Sequence, residues 1–355
     1  MVPLFQISGN IRQQMKQILI TGAFGFVGSR LAARFLAAGW KVRLLDLQNH
    51  PLKHTQMEWL NQFGSAELVE SDICNIDAVT EAVSRCDEVI HVAALLNSIA
   101  HKSQFHRVNV IGTQTICKAC MTHSDTHLTL ISTSDVFGIP DPGDVLTEAS
   151  PFCSWDEPYA DTKIEAAEYV KTLREQGMLK ATIIYPGWVY GPGDRQFFPA
   201  IIDMVKSGVV FTWHRTTPME IYLIHIDDLI DGVWKAMANR NITKQDFLIL
   251  DHQTGLTPLD LYESIAEFYG RKIKQVHLPY SLMMTLAKAT QTLARYRLLP
   301  APVLSTTDVK AFGNKFQFST KRAETILGWK PSITPEQGIE DALRWQSANL
   351  PQAKL

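Results

Sequence analysis

Gln17-Ile-Leu-Ile-Thr-Gly-Ala-Phe-Gly-Phe-Val-Gly28 is the stretch on which the fold turns. The apolar run Ile18, Leu19, Ile20 has the character of a buried strand and stops at Thr21-Gly22. Glycines at 22, 25 and 28 then lead into a helical pattern from Ser29 to Ala38. Without Cβ atoms such a turn lets a pyrophosphate approach backbone N–H groups at the positive end of a helix. Glycine-rich turns also serve as plain turns. The strand before and the helix after favour a nucleotide site instead, with Gly22, Phe24, Gly25, Phe26, Val27 and Gly28 around the phosphates.

Working outward, Gly39 ends the helical pattern and Lys41 to Asp46 reads as a second strand. Asp46 stands where a carboxylate accepts hydrogen bonds from both hydroxyls of an adenosine ribose and repels a 2′-phosphate, so NAD is favoured over NADP. Arg43 argues mildly the other way, since a nearby Arg can welcome that phosphate. Further strands are expected at Ala66 to Ser71, Glu88 to Ala94, His127 to Ser132 and Lys180 to Tyr185, and helices at Ile76 to Ser84, at Phe105 to Met121 and from Pro158. This alternation predicts an α/β fold, a doubly wound parallel Rossmann sheet.

Beyond Pro186 the alternation loosens into a helix at Phe197 to Lys206, a short strand at Val209 to Trp213, a helix at Leu229 to Ala238 and a last sheet strand at Phe247 to Leu250. From Thr257 the pattern is mostly helical. The expected division is 17–185 plus about 223–252 for the NAD-binding Rossmann domain, and about 186–222 with 253–348 for a smaller, mostly helical substrate-binding lobe, after an N-terminal tail at 1–16.

A chain of 355 residues suits one large α/β unit with an attached lobe. Its 34 basic and 36 acidic residues nearly cancel and form no basic block, so nucleic acid is not an expected partner. Cys74, Cys86, Cys117, Cys120 and Cys153, an odd and scattered set, fit a reducing, cytoplasmic setting. The Cys117-x-x-Cys120 pair lies in a helical pattern, and no grouping of His, Cys and carboxylates has metal-ligand spacing. The first residues do not read as a signal peptide, and no apolar run is long enough to span a bilayer. Between Tyr280 and Leu299, Leu282, Leu286, Ala289, Leu293 and Tyr296 recur at helical spacing. A core-facing helix is the expectation there. The alternative is a helix, with Lys288, Arg295 and Arg297, that covers an apolar substrate or makes peripheral contact with a membrane.

Tyr159 and Lys163 are four apart on one predicted helix and share a face. A phenol titrates near ~10, and a neighbouring ammonium favours its phenolate, so the pair can exchange protons near neutrality. Thr133, at the end of the preceding strand, adds a hydroxyl donor.

With these residues in view the chain resembles, nearly end to end, an extended short-chain dehydrogenase/reductase. The motifs are the glycine turn, Asp72-Ile73, His91-Val-Ala-Ala94, Asn109-Val-Ile-Gly-Thr113, Ser132-Thr-Ser-Asp-Val-Phe-Gly138, Tyr159-Ala-Asp-Thr-Lys163, Val189-Tyr-Gly-Pro-Gly-Asp194, His225-Ile-Asp-Asp228 and Leu327-Gly-Trp-Lys-Pro331. The resemblance implies that Tyr159 exchanges a proton with a substrate hydroxyl or carbonyl while hydride moves to or from nicotinamide. It implies that Lys163 binds the nicotinamide ribose and lowers the phenol pKa, and that Thr133 binds the substrate oxygen. Asp72 and Ile73 would flank adenine, while Ala93, Ala94 and Pro186 to Val189 would line the cofactor. A homodimer through Ser103 to Met121 and Pro158 to Gln176 is implied as well.

Three departures bear on the substrate. Tyr185-Pro-Gly-Trp188 replaces the Arg-x-x-Asn common in nucleotide-sugar enzymes, Ile221 stands near the place of a diphosphate-clamping Arg, and Ser134-Asp135 replaces the Asp-Glu of sugar dehydratases. Ser134, Trp188 and Ile221 are therefore candidate substrate contacts in an apolar pocket, although His214 and Arg215 could bring charge from another angle. Leu278-Pro279, the long helix, Pro302 to Thr306 and Phe318 to Ala323 resemble the 3β-hydroxysteroid dehydrogenase and sterol-decarboxylating branch. The expected small-molecule substrate is an alcohol or ketone of apolar, sterol-like character. The alternatives are a nucleotide-sugar epimerase or dehydratase that retains NAD, and a non-catalytic redox sensor. His91 and His225 read as structural.

Overall fold

The computed structural model describes residues 16–96, 100–141, 143–213, 219–239, 245–252, 254–299 and 305–349. Residues 1–15 of the tail, His214, Arg215 and residues 302–304 of the C-terminal resemblance lie outside them.

Seven parallel strands form the central sheet: β1 (Gln17–Thr21), β2 (Lys41–Asp46), β3 (Ala66–Glu70), β4 (Glu88–His91), β5 (His127–Ile131), β6 (Lys180–Pro186) and, from late in the chain, a strand at Phe247–Ile249. Ile18 pairs with both Val42 and Glu88. The order across the sheet is therefore β3, β2, β1, β4, β5, β6 and then Phe247–Ile249. The inner strands are apolar and buried along nearly their whole length, as layers of helix on both faces require, whereas the edge strand β3 is half-exposed.

Helices α1 (Phe26–Ala37), α2 (Lys53–Leu60) and α3 (Ile76–Val83) connect the first four strands. Next, α4 (Lys102–Phe105) runs through a wider π turn at His106–Ile111 into α5 (Gly112–Met121). Helix α6 (Pro158–Glu175) then lies beside this segment, with Pro158 in its first turn, where a missing N–H costs nothing. One apolar core joins the inner strands to α3, α5 and α6, and another joins them to α1 and α8 (Ile226–Ala238).

After β6 the chain leaves the sheet through β7 (Trp188–Tyr190), α7 (Phe197–Lys206) and β8 (Val209–Trp213), and returns by β9 (Leu223–His225), α8 and β10 (Phe247–Ile249). It then adds α9 (Pro258–Phe268), β11 (Lys274–Leu278), α10 (Tyr280–Arg295), α11 (Thr306–Gly313) and α12 (Pro335–Asn349). Strand β7 pairs with β9 and β8 with β11, both in parallel, two small sheets that short strands gave no clear periodicity to announce.

The C-terminal motif is held down by Asp228. Its carboxylate accepts from the Ser332 N–H at 3.0 Å, the Ser332 hydroxyl at 2.7 Å and the Ile333 N–H at 3.1 Å, while the buried Trp329 indole donates to its carbonyl. His225 caps α8, its Nδ1 accepting from the Asp227 N–H, which agrees with a structural role.

Helix α10 corrects the expectation of a core-facing leucine stripe. The side that packs is Met283, Ala287 and Ala294, whereas Leu282, Leu286, Leu293 and Tyr296 are exposed. Both faces of this helix are apolar, so residue size alone did not reveal which one is covered. The small-residue face admits the close approach of α11.

Candidate active site

The turn after β1 is shaped by what its glycines make room for. Gly22 has φ +64, and a Cβ there would lie 2.8 Å from the Ala93 Cα. A Cβ on Gly28 would lie 2.1 Å from the Gly22 carbonyl oxygen. Gly25 is the N-cap of α1 and offers no side-chain cap, and the first turn holds no acidic residue. The helix thus starts at Phe26, three residues before the expected Ser29, with its first N–H groups turned toward the crevice at which the strand order reverses between β1 and β4.

Asp46, at the carboxyl end of β2, is buried and holds the rim of that crevice. Its two carboxylate oxygens accept from the Phe24 and Leu47 N–H groups, each at 2.8 Å. A carboxylate has lone pairs beyond these two bonds, so hydroxyl donors can still be accepted. Arg43 is engaged elsewhere: its Nε meets Glu67 at 2.8 Å and its Nη1 donates to the Ala82 and Ser84 carbonyls at 3.1 and 2.7 Å. Asp72 pairs with Arg107 at 2.7 Å and caps the Cys74 N–H, while Ile73 is buried against Gly112. Ala93 and Ala94 are partly exposed after β4, Pro186 ends β6 and Val189 lies in β7. The uncapped helix start, the space left by Gly22 and Gly28 and the carboxylate at Asp46 suit an adenine dinucleotide.

His91 stitches the crevice together. The Thr21 hydroxyl lies 2.8 Å from its Nδ1 and accepts from the Val92 and Ala93 N–H groups, so it donates to the imidazole. Nε2 in turn faces the Thr113 hydroxyl at 3.0 Å, and Thr113 donates to the Asn109 carbonyl. The Asn109 side chain bridges Leu95 and Thr162, the residue before Lys163. Burial, then the charge of Lys163, push the imidazole pKa down to about 3, so His91 is a neutral structural bridge.

Thr133, Tyr159 and Lys163 all lie near the ends of β5 and α6. Lys163 is buried, donates to the Ile131 carbonyl at 2.7 Å and has its pKa pulled down to about 8 by desolvation. The Tyr159 phenol is raised instead, by burial first and by the nearby Asp135 charge second, with a hydrogen bond to Thr133 acting in the opposite direction. In this structure the ammonium is held by a carbonyl, and the phenol is kept protonated by its surroundings.

Beside this group lies a pocket lined by all three candidate substrate contacts, Ser134, Trp188 and Ile221. Sequence reasoning missed most of its wall: Trp155, Tyr222, Phe312, Phe316 and Phe318, together with the acids Asp135 and Glu220. Trp155 and Phe316 stack at 5.7 Å between ring centroids, and Tyr222 meets Phe318 edge-on at 5.0 Å. The alternating Phe316-x-Phe318 was the one local signal, since Phe318 bridges to Leu146 in extended conformation. The Trp188 indole donates to Asp135 at 3.2 Å. Burial raises the Asp135 pKa to about 6 against the pull of Trp188 and Thr133. The Trp155 indole N–H is buried without a partner among the described residues. None of the described lining residues is Lys or Arg. No group of side chains suited to a metal ion occurs among the described residues.

Comparison with known proteins places the chain among relatives of the same fold. Short-chain dehydrogenase/reductase family 42E member 1 of Danio rerio is 24% identical, covering 95% of this chain and 90% of that protein. A 3-beta-hydroxysteroid dehydrogenase of Mycolicibacterium neoaurum is 26% identical over 94% of this chain and 92% of its own length. The decarboxylating sterol-4-alpha-carboxylate 3-dehydrogenase of Candida albicans is 23% identical, over 95% and 99%. Among solved structures, UDP-glucuronic acid 4-epimerase from Bacillus cereus, in complex with UDP-glucuronic acid and NAD, superposes with a TM-score of 0.73 at 21% identity, covering 94% of this chain and 99% of that one, a likeness of fold. The family described as NAD dependent epimerase/dehydratase matches residues 18–249, the greater part of the chain, and the protein belongs to that family.

Proposed function

We propose that this NAD-dependent enzyme moves hydride between its cofactor and a secondary alcohol or ketone of an apolar, sterol-like substrate, with Tyr159 as the proton-exchanging group. The observation that carries the reading is the aromatic pocket without a cation among its described walls. Among those described walls a buried diphosphate would meet no Arg or Lys. The names of the steroid and sterol relatives support the same substrate class.

Gly22 to Gly28 and the start of α1 would hold the pyrophosphate and Asp46 the adenosine ribose. Asp72 and Ile73 would flank adenine, and Ala93, Ala94, Pro186, Val189 and Lys163 would lie along the remainder. Bound NAD supplies the hydride acceptor or donor. Thr133 orients the substrate oxygen, Tyr159 gives or takes its proton, and the pocket wall excludes water from the exchange.

Tyr159→Phe is expected to lower turnover by ~10²–10⁴-fold while leaving the affinity for NAD, read by fluorescence titration, unchanged. Full turnover in that variant would sink the assignment. Net NADH change with sterol-like alcohols or ketones supports this reading, and conversion of a nucleotide sugar without net NADH would favour the epimerase alternative. We further propose a homodimer through α4, α5 and α6, where Ile111 is exposed and His106 meets Glu165 at 3.3 Å. Sedimentation would test it, a single-chain particle at all concentrations being the adverse result. Five free cysteines favour a cytoplasmic setting, which localisation of a tagged chain would check.

A further inference from the structure

Helix α10 wears its apolar side chains the wrong way round for a helix that meets only water. Leu282, Leu286 and Leu293 are 45, 44 and 41% exposed, and Tyr296 and Leu298 just beyond are 73 and 70% exposed. Beneath them Met283, Ala287 and Ala294 are buried, and Met283 and Ala287 pack with Val309 of α11. Lys288, Arg295 and Arg297 are exposed along the same segment. From Tyr280 to Leu299 there is no acidic residue, and none of the three cations has a carboxylate partner among the described ion pairs.

Helix α11 is the link to the site. Its Val309 faces α10, while Ala311 and Phe312 line the aromatic pocket, and Phe312 packs on Trp188 at 5.2 Å. Gln291 on α10 accepts from the Thr306 hydroxyl at 2.9 Å and fastens the two helices. The exposed leucines thus stand one helix away from the pocket.

We propose that the outer face of α10 docks the enzyme on an anionic lipid bilayer, leucines in the interface and Lys288, Arg295 and Arg297 among the headgroups. An exposed apolar stripe on a helix whose charges are all cations, carried on another face, has the composition of an interfacial helix. No described helix is long and apolar enough to cross a membrane, so the contact is peripheral. A second copy of the chain fits this face less well, because a self-complementary contact would gather like charges. The inference stands apart from the role of Tyr159, and vesicle binding can fail without touching turnover.

The test is co-sedimentation of the full chain with phosphatidylcholine vesicles, with and without phosphatidylserine. Binding is expected on the anionic vesicles and should weaken with salt. Lys288→Gln/Arg295→Gln/Arg297→Gln should weaken partitioning on the order of a hundredfold, at about fivefold for each charge removed near the surface. Leu286→Gln/Leu293→Gln should abolish it with an unchanged melting temperature, since both side chains are already exposed. Wild-type protein that stays in the supernatant at low salt would overturn the proposal. So would both variants binding as well as wild type, or a leucine variant that only loses self-association.

Discussion

The glycine turn after β1 and the aromatic pocket beside Tyr159 are built by opposite means. In the turn the constraints are on the backbone: a Cβ on Gly28 would come within 2.1 Å of a carbonyl oxygen, and Asp46 grips two main-chain N–H groups. In the pocket the constraints are between side chains from distant segments, Trp155 against Phe316 and Trp188 against Phe312. The first region presents fixed donors to a ligand common to a family. The second is shaped by which aromatic and apolar side chains those segments bring together.

Each region also contains a buried group whose pKa is shifted, and the two oppose each other in pH. The His91 pKa in the folded protein, about 3, lies below the ~6.5 of an unfolded histidine. Its contribution is intact above about pH 6.5 and is lost as pH falls toward 3, on the order of 5 kcal/mol at most. Asp135, at about 6, lies above its ordinary 3.8. Its contribution is full below about pH 4 and is lost as pH rises through 6, roughly 3 kcal/mol. Urea midpoints measured against pH should therefore show Asp135→Asn gaining stability over wild type above about pH 6 and converging with it near pH 4. His91→Gln should be less stable at neutrality, having lost its bonds to Thr21 and Thr113, and should flatten the acid limb. An Asp135→Asn curve parallel to wild type throughout would break the contrast.

Gly28→Ala examines the backbone side of the comparison. The added methyl meets the Gly22 carbonyl, and neither the helix nor the turn can yield without moving the N–H groups that face the crevice. The expected cost is about 1–3 kcal/mol in folding, with NAD affinity reduced by roughly tenfold or more in titration. An alanine variant that binds NAD normally would show that the close approach is not what the position is for.

The same contrast explains what could be read in the sequence. Strand runs, glycine spacing, Asp46 and the Tyr159/Lys163 pairing are local patterns whose physical reason lies within a few residues, and they placed the sheet and the crevice. Trp155, Phe312 and Phe316 each look like ordinary core residues, and only the fold brings segments 155, 188, 221 and 312–318 to one cavity. The orientation of α10 was illegible for a related cause, since both of its faces are apolar and the choice was made by α11, a separate segment. The bond from the Lys163 ammonium to the Ile131 carbonyl also depends on a strand that is distant in sequence.

Cofactor preference gives the finest division, because two residues three apart on β2 make opposite claims on it. Asp46→Asn keeps the shape and at most one of the acceptor bonds, but removes the charge that disfavours a 2′-phosphate. The ratio of NADP to NAD affinity should rise by about 10–100-fold, the equivalent of a hydrogen bond to a charged group at ~1.5–3 kcal/mol. Arg43→Gln should leave that ratio within about twofold and cost only about 1 kcal/mol of stability, because the guanidinium is spent on Glu67 and the carbonyls of Ala82 and Ser84. Parallel titrations of the two variants with both cofactors separate the claims. A large shift from Arg43→Gln would mean that the guanidinium leaves those carbonyls for the ribose side of the crevice, whereas a shift from Asp46→Asn alone assigns the preference to one carboxylate at the end of one strand.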